Sequence, residues 1–104
     1  MEATELLAEY ATGERSFVGY ELNGIDLSKA NLENADFFSA DFSDANLSGA
    51  NFSGADLRFV NFKNANLSGA NFKNANLNGA KFSNSNVRGA DFTNANLLNA
   101  KGLD

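Results

Sequence analysis

The sequence contains no cysteine, no histidine, no proline and no tryptophan. Without cysteine or histidine there are no disulfides, no thiolate or imidazole metal ligands, no Cys or His nucleophile and no imidazole general base. The lack of proline is unusual in a chain that must turn as often as this one. No apolar run approaches the ~20 residues of a membrane-spanning helix. The opening MEATELLAEYATGERSF lacks the basic segment and apolar stretch of a secretory signal. Dense Lys/Arg clusters are missing too, which argues against direct nucleic-acid binding. These absences predict a cytoplasmic, non-enzymatic protein with no cofactor and no membrane contact.

What is present is one small domain's worth of chain, 104 residues, of which 43% are hydrophobic and ten are Phe. The net charge of -5 is unevenly spread. Residues 1–56 carry eleven Asp/Glu against Arg15 and Lys29, giving -9, whereas residues 57–104 carry two Asp against six Lys/Arg, giving +4. The chain is electrically polar from end to end.

Its organisation is a repeat of five. Between Ala65 and Gly79 the chain reads ANLSG, ANFKN, ANLNG. A large apolar centre recurs every five residues from Phe17 to Leu97, seventeen units without an insertion or deletion. Such a repeat decides the fold before any other signal. Taking the centre as the third slot, the first slot is small, Ala in most units from Ala30 to Ala95. The exceptions are Arg15, Tyr20, Ile25, Val60 and Ser85.

The first and third slots point inward, as alternate residues of a short extended segment do. The other three are mostly polar and point outward. The fifth slot is Gly or Asn in thirteen of the seventeen units. Those residues best tolerate the positive φ that a type II turn requires at its third position. Each unit is thus a short strand and a corner. Four corners close a square coil of twenty residues, stacked at ~4.8 Å on the next.

Residues twenty apart then share a column. The centres of the first face are Phe17, Phe37, Leu57, Leu77 and Leu97, and those of the second are Leu22, Phe42, Phe62 and Phe82. The third face holds Leu27, Leu47, Leu67 and Val87; the fourth holds Leu32, Phe52, Phe72 and Phe92. Rings stack on rings, which assigns nearly all of the Phe to the core.

Units such as ADLRF, ANLSG and ANFKN match A(D/N)LXX, and over about residues 15–99 the chain resembles the pentapeptide-repeat proteins. The resemblance implies an all-β fold, a right-handed quadrilateral β-helix of about four coils. Residues 1–14 form an N-terminal helical cap like that of cyanobacterial members, residues 15–99 the β-helix, and residues 100–104 a C-terminal tail. In the cap, Leu6, Leu7 and Tyr10 recur at helical spacing, with Thr4 expected as N-cap and Gly13 as stop. At the other end Gly102 falls in a centre slot and breaks the pattern, leaving the last coil under-capped.

The outward Ser/Thr have no nucleophile-activating partner, and the sequons at Asn46, Asn51 and Asn66 follow from the repeat itself. Asp36, Asp41, Asp44 and Asp56 fill slots that Asn fills elsewhere and read as solvated. Regular Thr arrays of the kind that bind ice are lacking.

Phe38 and Phe59 stand out, because both rings occupy outward slots. Phe38 shares a column with Val18 and Arg58, whose guanidinium can lie across the ring, and Phe59 sits one slot over. Val18, Phe38, Arg58 and Phe59 form the candidate partner patch. Phe59 fills a slot that prefers Gly, which predicts a different turn type at that corner. Leu97, Leu98 and Leu103 are the candidates for self-association as a homodimer through the C-terminal coil.

The resemblance implies a non-catalytic interaction or scaffold module with a protein partner. The alternative it raises is a DNA mimic that inhibits a type II topoisomerase such as gyrase. A rod of only ~20 Å with a positive C-terminal half is poorly suited to that role.

Overall fold

The computed structural model describes residues 1–103 and is a right-handed quadrilateral β-helix closed at its N-terminal end by one helix. Asp104, the last residue of the tail, lies outside the described residues. Parallel bridges join residues twenty apart without a break in register, from Ser16–Asp36 to Lys81–Lys101.

The sequence of each unit follows from where its five backbone N–H groups go. In the unit around Phe52, the centre N–H donates to Asn71 O of the coil above at 2.7 Å. The N–H of the fifth slot, Gly54, donates to Lys73 O at 2.8 Å. The N–H of Asn51 donates down to Ala30 O at 2.9 Å, and that of Ala50 closes the preceding corner onto Leu47 O at 3.1 Å. The fifth, on Ser53, lies over the turn and is satisfied by the side chain of Asn51, whose Oδ1 accepts it at 2.9 Å. Every backbone donor of this unit is thereby paired, as a compact backbone demands.

That last bond is what the second slot is for. From Asp26 to Asn96, each Asn or Asp in that slot accepts the N–H two residues on. Only short amide and carboxylate side chains reach that far back along their own turn. A reading by polarity alone marks these residues as solvent-facing and misses the bond.

Every fifth slot from Gly19 to Asn99 has positive φ, including Lys29 (61°), Ser39 (60°) and Asp44 (61°). Phe59, at 61°, is no exception. The expected change of turn type at that corner is therefore wrong. Twenty-residue register holds all corners to one geometry, and the ring takes the left-handed conformation at a cost of about 1 kcal/mol.

Inside, Phe42 stacks on Phe62 at 5.8 Å and 4°, and Phe52 on Phe72 at 5.5 Å and 4°. The two ladders meet edge to face, as at Phe42–Phe52 (5.9 Å, 69°). This alternation of offset stacks and edge contacts suits the ring quadrupole. All centres from Phe17 to Phe82 are fully buried, whereas Val87, Phe92 and Leu97 in the last coil are only half-buried.

The cap is α1, Ala3–Ala11. Its N-cap is Glu2 rather than Thr4, because Glu2 and Glu5 form a reciprocal capping box and Thr4 lies inside the first turn. Leu6 is buried against the first coil with Ala3 and Tyr10 beside it, and Leu7 faces outward. Tyr10 Oη donates to Glu33 O at 2.8 Å, tying the helix to the coil. Arg15, an exception in the first slot, lies over the Tyr10 ring at 3.6 Å and donates to Tyr10 O. Gly13, at φ 103°, turns the chain out of the helix as expected.

Candidate interaction surface

The first face carries the outlying apolar side chains, and the register explains their alignment. Its fourth-slot column runs Val18, Phe38, Arg58, Asn78 and Leu98, each one coil beyond the last. Leu98, a candidate for self-association through the C-terminal coil, also stands in line with this flank, with its N–H held by Asn96 Oδ1 at 3.0 Å. Val18, Phe59 and Leu98 are 46%, 52% and 64% exposed, and Phe38 is half-buried.

These side chains are set by specific contacts. The Phe59 ring meets Phe38 edge-on, 5.8 Å between centroids and 83° between planes. It lies along the prism over Gly79, where an added Cβ would come within 2.5 Å of the ring. Gly79 thus serves the corner through its φ of 75° and the flank through its missing side chain. The Arg58 guanidinium sits 4.8 Å from the Phe38 centroid. Two bonds to Asp56, Nε to Oδ1 at 2.9 Å and Nη2 to Oδ2 at 2.8 Å, fix its plane. The hydrogen bond from Arg58 is the main reason the Asp56 carboxyl titrates below the usual carboxylate range. The same contact holds the Arg58 guanidinium above its ordinary value.

The predicted patch of Val18, Phe38, Arg58 and Phe59 is therefore brought together, and Leu98 extends it. Four exposed or half-exposed apolar side chains follow one edge of the prism with an immobilised guanidinium between them. The chemistry available is apolar contact, a cation over a ring face and an arginine–carboxylate pair.

The C-terminal end is a second surface. There the N–H groups of Val87, Gly89, Phe92, Asn94, Leu97 and Asn99 have no backbone partner among the described residues, because no coil lies above them. Gly102 passes so close to the preceding coil that a Cβ would fall 2.6 Å from Ser83 N, so only glycine fits that centre slot. Leu97 contributes a half-buried centre and Leu103 is exposed near it in sequence.

At the helical end, an open groove of about 320 Å³ is lined by Met1, Glu2, Ala3 and residues 23–26. Among the described residues no group of three or more His, Cys, Asp or Glu is placed to hold a metal ion. Among them, too, no helix is long and apolar enough to cross a membrane.

The square coil and its five-residue grammar define a class, and the family model for the pentapeptide repeat region matches residues 35–101. The chain belongs to the pentapeptide repeat family. It is similar to the pentapeptide repeat protein alr5209 from Nostoc PCC 7120, with 30% identity over 99% of this chain and 88% of that one, at a TM-score of 0.77. It is also similar to HetL, a pentapeptide repeat protein involved in heterocyst differentiation regulation in Nostoc sp. strain PCC 7120. There the identity is 32% over 96% of this chain, which spans 46% of HetL, at a TM-score of 0.60. A pentapeptide repeat protein of the Arabidopsis thaliana thylakoid lumen aligns over 82% of this chain and 67% of its own length, with 31% identity and a TM-score of 0.50. No curated protein matches the chain by sequence.

Proposed function

We propose that the chain is a non-catalytic protein-interaction module that docks a protein partner on the flank formed by Val18, Phe38, Arg58, Phe59 and Leu98. The observation that carries this reading is the alignment of exposed apolar side chains along one edge of an otherwise polar prism. Exposed apolar stripes of this kind, rimmed by polar groups, mark interaction surfaces. Two aromatic rings and an arginine are the residue types that dominate binding energy when a partner covers them. The rigid backbone suits the role, since little order has to be gained on binding.

The test is a comparison of proteins retained by the wild-type chain and by a Phe38→Ser, Phe59→Asn double variant of intact fold. The expected result is a specific partner held by the first and lost by the second. Identical retained sets would overturn the flank as the docking site.

End-on homodimerisation through Leu97, Leu98 and Leu103 is a second reading, favoured by the half-buried Val87, Phe92 and Leu97. With Leu98 on the flank, the end offers less apolar surface. A two-fold pairing there also gathers Lys81, Arg88 and Lys101 of both copies around one junction, a like-charge arrangement that opposes it. A charged substitution at Leu97 tests it by dissolving any dimer of this kind.

Mimicry of DNA toward gyrase is not favoured. Eleven of the thirteen acidic groups lie in residues 1–56, and Lys63, Lys73, Lys81, Arg88 and Lys101 give the C-terminal coils the sign of a phosphate binder rather than a phosphate. Gyrase supercoiling is expected to proceed unchanged at high molar excess of this protein, and inhibition would reinstate the alternative.

A further inference from the structure

Beside the apolar flank, one corner away, runs the second-slot column of the second face. Parallel bridges join Glu21, Asp41, Asn61, Lys81 and Lys101 in that order. Read along the axis, the charges are negative, negative, neutral, positive, positive. Like charges are stacked directly on one another twice in this column, Glu21 on Asp41 and Lys81 on Lys101. Such pairs at coil spacing are unfavourable in an isolated sheet. The core does not require them, and of the four only Asp41 serves its corner, accepting Ser43 N–H at 2.9 Å. Apart from Ser16, the second slot elsewhere is Asn or Asp bonded to its own turn, and Glu21, Lys81 and Lys101 forgo that bond.

The column is its own complement when inverted. Turned end for end about Asn61, Glu21 faces the position of Lys101, Asp41 that of Lys81, and Asn61 faces itself. The apolar flank has the same centre. Phe59 and Asn61 stand on either side of the inward-pointing Val60 in the middle coil, with Val18 at one end of the stripe and Leu98 at the other. Inversion therefore sets Val18 against Leu98, Phe38 against Asn78, and Phe59 and Arg58 near their own copies at the axis, where each Arg58 charge is already paired with Asp56 at 2.8 Å. The uneven charge of the whole chain, -9 over residues 1–56 and +4 over residues 57–104, favours the same antiparallel placement.

We propose that the edge joining the first and second faces docks a second copy of this chain, antiparallel and side by side, about a two-fold axis near Asn61. This deepens the docking reading of the flank and rests on it, naming the chain itself as an occupant. A two-fold contact is isologous, so a self-complementary ladder is what it requires. The prism measures 36 × 23 × 23 Å, and one flank offers an area toward the low end of specific interfaces. The dimer is accordingly a reversible one that weakens with salt, since the ladder is exposed and screened over ~10 Å at 0.1 M ionic strength.

The experiment uses the full chain and two half-ladder variants, followed by sedimentation and light scattering over a concentration series at low salt. One variant is Glu21→Lys with Asp41→Asn, which keeps the Oδ1 that accepts Ser43 N–H. The other is Lys81→Glu with Lys101→Glu. The wild type is expected to dimerise, and each variant alone to dimerise at least about tenfold more weakly. An equimolar mixture of the two is expected to recover the wild-type affinity as a heterodimer. Small-angle scattering separates the arrangements, a side-by-side dimer being about 36 × 46 × 23 Å and an end-on dimer about 72 Å long. A wild type that stays monomeric overturns the proposal. So does a dimer indifferent to the ladder, or a mixture that fails to restore it. If a variant does not fold by circular dichroism, the wild type's salt dependence and scattering shape decide alone. The failures remain distinguishable, because a flank that binds another protein loses it with Phe38→Ser, Phe59→Asn whatever the ladder does.

Discussion

At position 59 a phenylalanine sits in a backbone conformation usually left to glycine, and its ring fills the space over Gly79. Its stability account is nearly balanced, strain of about 1 kcal/mol against contacts with Phe38 and Gly79. Phe59→Asn is therefore expected to leave the thermal midpoint within a few degrees of wild type, whereas Phe62→Ala, in the fully buried ladder, costs about 3–5 kcal/mol. A large loss in Phe59→Asn would mean that the ring is held for the fold and not for a partner. Ser85 is the converse case. Its Oγ is buried in a slot that Ala fills in most other units and has no partner among the described residues. Ser85→Ala is expected to stabilise the protein by about 1 kcal/mol in a urea melt. Both residues were visible in the sequence as departures from the repeat. The conformation of Phe59 was not, because a positive φ forced by register leaves no mark on the residue that bears it.

Within a coil, the second slot is the smallest unit that holds an element together. Asn71 Oδ1 accepts Lys73 N–H at 2.9 Å, and Asn71→Ala leaves that donor facing solvent over a tight turn. The expected loss is about 1 kcal/mol, with Asn71→Asp close to neutral, measured by chemical denaturation. At the cap, Leu6→Ala removes the one fully buried side chain of α1. A loss of about 2–5 kcal/mol is expected, with the first coil exchanging its amides earliest. The cap was legible in outline from apolar spacing. Its start was misread because Glu2 offers no short hydroxyl or amide, and a capping box led by Glu was not an obvious competitor to Thr4. The five-residue grammar was legible in full as pattern, while the hydrogen bond that justifies Asn and Asp was hidden by their resemblance to ordinary surface residues.

For the whole molecule, the period carried the plan of short strand and corner, while the right-handed square coil came from the resemblance to the pentapeptide-repeat proteins. The candidate surface was half legible. Val18, Phe38, Arg58 and Phe59 stand out by their slots, whereas the place of Leu98 in the same column passed unused because it was read only as part of the C-terminal coil. Acid acts on this surface through Asp56. Its folded-state pKa is depressed, chiefly by the Arg58 hydrogen bond, so the pair's contribution is present above the unfolded value of ~3.9 and is lost as pH falls through the lower folded value. Asp56→Asn is expected to lower stability at pH 7 and to converge with wild type in denaturation midpoints once the pH falls below the depressed folded value. A gap that persisted at low pH would mean that the loss does not come from the Asp56 charge.

The unbroken register has a consequence for how such a chain can change length. Five added residues satisfy every slot and leave the core intact, yet they turn all that follows by a quarter of a revolution. Leu98 would leave the line of Val18 and Phe38, and Lys81 and Lys101 would leave the line of Glu21 and Asp41. Twenty added residues restore both lines and only lengthen them. Foldability is thus counted in fives and surface identity in twenties, so relatives that differ by one unit can share a core and no face.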